Sequence, residues 1–333
     1  MDRLPHLPPR GRDAQTCVAR LGLGLAAAAR PAYITAGRAA SLGPHRSVEE
    51  LRRRSADLLD TAYRAGIRYL DVARSYGYAE EFLASWLALH PEADDVIVGS
   101  KWGYRYVGEW RMDAHVHEIK DHSRGAFVEQ LAQTRSWLGE RLDIYHIHSA
   151  TLRTGVLDDR GLLQALGELR AAGVQVGLST SGPEQAQTIR RAIEIDLDGL
   201  PLFSSIQTTW NLLEPSAGNA LCEASGRGVQ VIVKEAVANG RLAPGGDDGT
   251  PAVRQATDLA SALGISLDQF AIAAALAQPW ATWVLSGAIT AEQLTSNLQA
   301  AHLDLPSGWL TQLPSLAEPP HTYWAARSAR PWS

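Results

Sequence analysis

The chain has 333 residues and a formal net charge of −5, and 45% of its residues are hydrophobic and 20% charged. This composition is typical of globular proteins, and the charge gives no basic surface for nucleic acid or an anionic membrane. Two cysteines, Cys17 and Cys222, are too few for a disulfide framework, so we expect a reducing, cytoplasmic location. No apolar run reaches the length of a membrane span, and residues 1–15 lack the apolar core of a signal peptide.

Short apolar runs alternate with longer segments of helical spacing along the whole chain. The predicted strands are residues 20–25, 67–73, 95–101, 142–148, 174–180, 203–209, 229–235 and 282–286. The predicted helices are residues 48–65, 80–89, 124–138, 161–172, 183–195, 218–226, 251–263, 266–277 and 291–301. Because all strands but the first follow a helix, the pattern predicts parallel strands with right-handed crossovers.

Eight such units in this length predict a single-domain α/β fold, the (β/α)8 TIM barrel. The alternative is an open doubly wound sheet, but no G-x-G-x-x-G motif joins any strand to a helix. We assign the barrel to residues 19–305. Residues 1–18 are expected to be flexible, and residues 306–333 to form a tail that folds over the barrel mouth.

Polar residues stand at the ends of the predicted strands, where a barrel of this type carries its chemistry. They are Asp71 and Tyr76, Lys101, His148, Ser179 to Ser181, Gln207 and Asn211, and Lys234 with Glu235. The sequence has 28 arginines but only three lysines, and two of these lysines, Lys101 and Lys234, lie at such ends. Buried lysine can lose its proton, whereas arginine effectively cannot. The strand ends therefore predict a site for proton chemistry.

The catalytic residues predicted at these ends are Asp71, Tyr76, Lys101 and His148. A buried aspartate is costly unless it is paired, so we expect Asp71 to pair with Lys101. The ammonium should lower the tyrosine pKa from its reference value of about 10, and His148 should bond Tyr76 or a substrate oxygen. Such a set suits protonation of a carbonyl oxygen as hydride reaches the carbon. His146 and His148 are expected to face opposite ways, with His146 in a structural role.

These residues lie in segments that resemble the aldo-keto reductase family from about residue 20 to residue 302. The segments are RYLDVARSYGYAEEFL (68–83), VIVGSKWG (96–103), LDIYHIHSA (142–150), GVQVGLSTSG (173–182), SIQTTWNLLEPS (205–216), VIVKEAVANGRL (231–242) and VLSGAITAEQLTSNL (284–298). The resemblance implies a (β/α)8 barrel, a nicotinamide cofactor and reduction of a carbonyl group. It also selects His148 rather than His146 as the catalytic histidine.

The resemblance further implies residues that contact the cofactor. Ser179 and Gln207 would hold the nicotinamide carboxamide, and Thr180 stands where the family usually has Asn. The pyrophosphate would be covered by Val237, Asn239, Gly240, Arg241 and Leu242, partly through backbone N–H groups. The adenosine end would be held by Gly287, Ala288, Gln293 and Asn297.

Two departures from the family pattern concern the cofactor. Lys234 occupies the position where the family usually stacks an aromatic ring on the nicotinamide, so it has either a cofactor role or only an ion pair with Glu235. No Lys or Arg occurs between Arg254 and Arg327, where the family often binds the 2′-phosphate of NADP(H). We keep NADP(H) as the family default, allow NAD(H), and expect weak discrimination unless Arg241 compensates.

The long segment 102–123 is rich in aromatic residues and predicts a substrate wall. The predicted pocket residues are Trp102, Tyr104, Trp110 and Trp210, which favour a bulky or cyclic carbonyl substrate. Glu109, His115, His117 and Glu118 resemble metal ligands only in composition, so no metal is expected.

The leading hypothesis is NAD(P)H-dependent reduction of an aldehyde or ketone, with Tyr76 as the proton donor. The partner is a small molecule, and the oligomeric state is left open. The alternatives are non-redox elimination, isomerisation or cyclisation on the same barrel, and a catalytically silent sensor that binds the nicotinamide cofactor.

Overall fold

Eight parallel strands close into a barrel in the computed structural model, which describes residues 18–35, 37–43, 45–246, 249–306, 308 and 312–332. The barrel strands are β1 (Leu21–Gly24), β2 (Tyr69–Asp71), β3 (Ile97–Trp102), β6 (Ile144–Ala150), β7 (Gln175–Thr180), β10 (Ser205–Thr209), β11 (Gln230–Lys234) and β12 (Trp283–Ser286). They neighbour one another in chain order, and β12 pairs with β1. The predicted (β/α)8 barrel is confirmed.

The helices bury apolar side chains around the strands. Within the described residues they are α1 (Arg38–Leu42), α2 (Val48–Arg64), α3 (Ala79–Leu89), α4 (Arg124–Leu138), α5 (Arg160–Ala171), α6 (Gln185–Ala192), α7 (Gly218–Gly226), α8 (Pro251–Ala262), α9 (Leu267–Leu276), α10 (Ala291–Gln299) and α11 (Pro320–Ser328). Helix α2 shows the local cause. Ser47 caps its first turn, and Leu51, Leu58 and Leu59 are buried on one face.

Apolar side chains fill the lower part of the barrel. Tyr69 and Trp283 stack there with ring centroids 4.8 Å apart, within a cluster of buried residues from five strands. Glycine at position 99 makes room for this layer, because a Cβ there would lie 2.5 Å from the Tyr69 hydroxyl. The filled lower layer leaves only the C-terminal ends of the strands open to a ligand.

Two antiparallel strand pairs and two helices lie outside the predicted pattern. Strands β4 (Tyr104–Tyr106) and β5 (Glu118–Lys120) form a hairpin within the segment predicted as a loop, and β8 (Asp196–Leu197) pairs with β9 (Leu200–Pro201). Each strand has three residues or fewer, too short for a periodic signal. Helices α1 and α11 were not predicted either.

Both histidines of β6 point into the barrel, so the expectation that His146 faces outward is wrong. Strand side chains repeat every two residues, which places positions 146 and 148 on the same face. The Nε2 atom of His146 lies 3.0 Å from Ser205 Oγ across the interior. Gly177 on the intervening strand permits this contact, because a Cβ there would lie 2.5 Å from the His146 ring.

The expected flexible segment 1–18 lies outside the described residues except for Val18, and the tail is described at residues 306, 308 and 312–332. Over the described chain, no single helix has both the length and the apolar character needed to cross a membrane. Helices α8 and α9 meet those criteria only jointly, across a bend of 90°.

Candidate active site

A buried ion pair joins the ends of β2 and β3. Lys101 Nζ donates to Asp71 Oδ2 at 2.5 Å and to the Val72 carbonyl at 3.0 Å. Gln207 Nε2 donates to the other carboxylate oxygen at 2.7 Å. Lys101 is 0% exposed and Asp71 is 2% exposed, so each charge depends on these partners. The pairing expected from the sequence is present.

Tyr76 and His148 meet directly above this ion pair. The Tyr76 hydroxyl lies 3.4 Å from His148 Nε2, and the two rings are 5.4 Å apart at 80°. Tyr104 packs against His148 at 5.0 Å. Lys101 Nζ lies 4.7 Å and Arg30 Cζ 4.9 Å from the centre of the Tyr76 ring. The structure thus brings all four predicted catalytic residues together at the mouth of the barrel.

The protein environment raises the pKa of Tyr76 well above its usual value, chiefly through burial and then through the charge of Asp71. The expected lowering by Lys101 is therefore wrong for the protein alone, because burial penalises the tyrosinate. Burial also lowers the pKa of His148 well below its usual value, and the nearby Lys101 lowers it further. At neutral pH the pair consists of a protonated tyrosine and a neutral imidazole, both able to hydrogen bond an oxygen atom.

A cavity of about 100 Å³ opens from these residues. Its walls include Asp71, Tyr76, Gln207 and Lys234 at the inner end, and residues 236, 237, 239, 240 and 285–287 further out. Asn239 Oδ1 is buried there without a hydrogen-bond partner in the described chain, and a Cβ at Gly287 would meet no atom within 4 Å. The open backbone and the unpaired amide oxygen of the outer part, with the amide of Gln207 at the inner end, fit an elongated polar ligand such as a nicotinamide dinucleotide. Sites for drug-sized ligands usually measure about 300–1,000 Å³, so the enclosed space fits only the ring end of a dinucleotide.

Of the thirteen predicted cofactor residues, some line this cavity and others do not. The lining includes Gln207, Lys234, Val237, Asn239, Gly240 and Gly287. Ser179 is buried in the barrel, where its Oγ accepts the Ser149 N–H at 2.7 Å. The Thr180 side chain does not line the cavity, since its hydroxyl bonds Thr208 at 2.8 Å on the outer face of the strand. Alternation along β7 turns Thr180 away from the barrel interior.

The remaining predicted cofactor residues make contacts within the protein. Leu242 and Ala288 are buried in the apolar cores. Arg241 Nη1 donates to Glu318 Oε2 at 2.8 Å. Gln293 accepts from the Ile289 N–H at 3.0 Å, and the Asn297 amide lies 2.8 Å from Ser286 Oγ. None of these five lines the cavity.

Lys234 and Glu235 form part of a network that extends to the C-terminal helix. Lys234 Nζ donates to Thr209 Oγ1 at 2.7 Å and lies 3.9 Å from a Glu235 oxygen. Glu235 accepts from Thr209 Oγ1 at 3.0 Å and from Arg327 Nε at 3.0 Å. Burial lowers the pKa of Lys234 to about 8 despite the opposing effect of Glu235. No local pattern in the sequence indicates Arg327 as a partner, because 92 residues separate it from Glu235.

The predicted substrate residues fall into two groups. Tyr104 and Trp110 line a second cavity of about 550 Å³, outside the hairpin. Trp102 is 0% exposed and packs on Phe127, and Trp210 is 5% exposed and packs on Trp280. Neither Trp102 nor Trp210 lines this cavity or the one beside Tyr76. Trp102 follows Lys101 along β3 and faces the opposite way.

The segment with metal-like composition has structural contacts instead. Glu118 accepts from Arg30 Nη1 at 2.7 Å, and the His117 ring stacks on Trp332 with centroids 4.3 Å apart. Among the residues that the structure describes, no group of three or more His, Cys, Asp or Glu side chains could hold a metal ion.

Comparisons with known proteins agree with this architecture. The model of the Aldo/keto reductase family matches residues 40–318. Protein tas of Escherichia coli is 26% identical over 305 residues, covering 77% of this chain and 86% of that protein. D-threo-aldose 1-dehydrogenase of a Pseudomonas species is 26% identical over 286 residues, covering 77% of this chain and 85% of the enzyme.

Solved structures show the same fold. An aldo-keto reductase from Bacillus halodurans, in its holo form, matches with a TM-score of 0.63 at 21% identity, covering 90% of this chain and 92% of that chain. The family match extends over most of the chain and includes Asp71, Tyr76, Lys101 and His148. This chain therefore belongs to the aldo/keto reductase family and is an oxidoreductase.

Proposed function

We propose that this protein reduces an aldehyde or ketone to an alcohol with NAD(P)H, and that Tyr76 donates the proton. The observation that carries the proposal is the contact of Tyr76 with His148 above the Asp71–Lys101 pair, at the inner end of a ring-sized cavity. The nicotinamide cofactor, when bound, supplies the hydride. The protein has to hold the carbonyl oxygen, deliver a proton to it and exclude water.

His148 and Tyr76 would hold the carbonyl oxygen by hydrogen bonds from the imidazole and the phenol. The raised pKa of Tyr76, caused mainly by burial, keeps the hydroxyl protonated until the oxygen gains negative charge. Lys101, 4.7 Å from the centre of the Tyr76 ring, then stabilises the phenolate that remains. Asp71 keeps the ammonium in position. Proton transfer by a positioned side chain typically contributes a factor of about 10²–10⁴ to the rate.

The test is the Tyr76→Phe variant, assayed for NADPH and NADH oxidation with nitrobenzaldehyde. We expect kcat to fall by about 10²–10⁴-fold with little change in cofactor affinity measured by fluorescence titration. Tyr63→Phe is the matched control, because its hydroxyl bonds the Glu92 carbonyl, at 2.9 Å, and it does not line the cavity beside Tyr76. Unchanged turnover in Tyr76→Phe would remove Tyr76 from the mechanism.

Cofactor binding separates this proposal from the alternatives. A wild-type protein that binds neither NADPH nor NADH would favour non-redox elimination, isomerisation or cyclisation. Binding without turnover over a broad panel of carbonyl compounds would favour a sensor. NADP(H) is the family default, and NAD(H) remains part of the proposal because Arg241 is already paired with Glu318.

The proposed substrate enters past Tyr104, whose ring contacts His148 and which is one of the residues that line the larger cavity. Tyr78, Tyr106 and Trp110 share that cavity, and such aromatic walls suit a bulky or cyclic carbonyl compound. A carbonyl panel graded by size tests this. The proposal predicts that kcat/KM rises from small aliphatic aldehydes to cyclic ketones and aromatic aldehydes, and the reverse order would contradict it.

A further inference from the structure

The charged side chains around the ring-sized cavity are not evenly balanced. Asp71 and Lys101 neutralise each other at 2.5 Å. Glu235 is paired with Arg327, whose Nε lies 3.1 and 3.0 Å from the two carboxylate oxygens of Glu235. Lys234 lies 3.9 Å from Glu235, longer than the usual contact of about 2.7–2.9 Å in a charge-assisted hydrogen bond. The two carboxylates face three cations, so the site keeps a net positive charge at Lys234.

The Lys234 ammonium is also sparsely bonded. Among the described residues it makes one hydrogen bond, to Thr209 Oγ1 at 2.7 Å, although an ammonium has three donors. Its side chain is 15% exposed and lines the same cavity as Tyr76 and Gln207. A cation in this position acts on any group that enters the cavity, with little screening by water.

The effect of this charge on cofactor binding rests on the proposed function. The ring that delivers hydride must approach a carbon whose oxygen contacts Tyr76, so it enters the cavity that Lys234 lines. The reduced nicotinamide ring is neutral, whereas the oxidised ring carries a positive charge. We propose that Lys234 makes this site select the reduced cofactor and repel the oxidised one. A protein with this preference readily exchanges the oxidised cofactor for the reduced one after each reduction, and it catalyses the reverse oxidation poorly.

The surroundings of Lys234 set the pH at which the preference disappears. The groups that face it are Glu235, Arg327 from the C-terminal helix, and Lys101, Asp71 and His148 inside the barrel. Burial lowers the Lys234 pKa to about 8, so the ammonium predominates at pH 7 and is mostly lost at pH 9. Discrimination should therefore weaken over that interval, while an arginine at the same position keeps its charge.

The experiment measures dissociation constants of NADPH, NADP⁺, NADH and NAD⁺ by fluorescence titration and calorimetry. The proteins are wild type, Lys234→Met, Lys234→Gln and Lys234→Arg, with Arg160→Met as a control that removes a charge from an exposed site on α5. At pH 7 we expect wild type to bind the reduced form about ten- to a hundredfold more tightly, as a like charge at short range requires. Lys234→Met and Lys234→Gln lose that ratio, and Lys234→Arg and Arg160→Met keep it. At pH 9 only Lys234→Arg keeps the full ratio.

Two results would overturn the inference, and they are distinguishable. If both forms bind and the ratio is the same in Lys234→Met, Lys234→Gln and wild type, Lys234 does not select the redox state, and the proposed function stands. If wild type binds neither form, the proposed function fails and the inference fails with it. Circular dichroism of each variant establishes that a lost ratio does not reflect unfolding.

Discussion

Lys101, which is fully buried, and Lys234, whose side chain is 15% exposed, lie on opposite sides of one barrel and differ in their carboxylate partners. Burial lowers the pKa of both ammonium groups. Lys101 has a carboxylate partner at 2.5 Å. Lys234 has one at 3.9 Å, and Arg327 already holds that carboxylate. The cost of burying a charge is therefore offset in one region and remains in the other.

This difference shows that a count of nearby opposite charges does not describe a buried lysine. Each of the two has one close carboxylate, but a carboxylate engaged by arginine offers little attraction to a second cation. Asp71 completes its bonding with a neutral donor, Gln207, whereas Glu235 completes its bonding with a cation. The first arrangement fixes Lys101 as part of a rigid pair. The second leaves Lys234 charged and able to act on a ligand.

The largest expected effect is the loss of stability in Lys101→Met, because Asp71 would remain buried without its cation. Breaking a buried pair by removing one partner typically costs about 3–5 kcal/mol. Urea unfolding at pH 7 measures this loss. The double variant Asp71→Asn/Lys101→Met should recover most of it. A loss below about 1 kcal/mol would place this pair with exposed ion pairs and remove the contrast with Lys234.

The barrel could be predicted from the sequence because every strand–helix unit has its own local signal. The predicted helices 124–138 and 218–226 have the same bounds in the structure. Strand β6 begins two residues after the predicted start and ends two after the predicted end. Strands β4 and β5 carried no such signal, since each has three residues and their pairing depends on tertiary contacts.

The candidate site was predictable only where residues end a strand. Asp71, Lys101 and His148 converge because parallel strands bring their C-terminal ends to one edge. Trp102 lines neither cavity, because it follows Lys101 on β3 and the two-residue alternation of a strand turns it to the opposite face. Arg327 acts across the chain, and no local pattern reveals such a partner.

The second largest expected effect is on the pH dependence of stability and arises from His146, which is buried in the barrel below Lys101. Burial lowers the His146 pKa from 6.5 to about 3, and the charge of Lys101 contributes. The pKa of His146 is lower in the folded protein than in the unfolded chain. Protonation of His146 therefore favours unfolding, and the folded state loses stability as the pH falls below 6.5. One such histidine should account for about 2 kcal/mol between pH 7 and pH 5, at up to about 1.4 kcal/mol per pH unit.

The His146→Gln variant tests that value, because glutamine keeps a polar contact with Ser205 and does not titrate. Unfolding free energies at pH 7 and pH 5 should differ by about 2 kcal/mol less in the variant than in wild type. His90→Gln is a suitable control, since His90 is partly exposed on the outside of the barrel. Equal pH dependence in wild type and His146→Gln would show that His146 titrates normally.

Lys234→Met should have a smaller effect with the opposite sign to Lys101→Met. Burial lowers the Lys234 pKa from 10.5 to about 8, so below pH 8 the folded state bears the full cost of the charge. The unfolded state binds more protons between pH 8 and pH 10.5, so this cost disappears as the pH rises through that window. A shift of this size corresponds to about 3 kcal/mol, and loss of the Thr209 hydrogen bond offsets about 1 kcal/mol.

We therefore expect Lys234→Met to be more stable than wild type by about 1–2 kcal/mol at pH 7 and to lose this advantage by pH 10. Urea unfolding at both pH values measures the difference. Lys234→Arg, which cannot lose its charge, should show no comparable change with pH. If Lys234→Met is less stable than wild type at pH 7, nearby groups fully offset the cost of burying the Lys234 charge, and Lys234 does not differ from Lys101 in this respect.

The smallest expected effect concerns the cofactor's 2′-phosphate and extends the comparison to Arg241. Like Lys101, Arg241 has a close carboxylate partner, Glu318, with Nη–Oε contacts of 2.5 and 2.8 Å. No Lys or Arg occurs between Arg254 and Arg327, so the 2′-phosphate lacks a basic partner from that segment. A charge-assisted hydrogen bond is typically worth about 1.5–3 kcal/mol, and without one we expect NADPH and NADH to bind within about tenfold of each other.

Glu318→Gln should release the arginine and shift the ratio of dissociation constants towards NADPH by about tenfold, while Glu292→Gln, on an exposed turn of α10, leaves the ratio unchanged. A wild-type preference for NADPH above about a thousandfold, more than 4 kcal/mol, would mean that a phosphate clamp exists elsewhere in the chain.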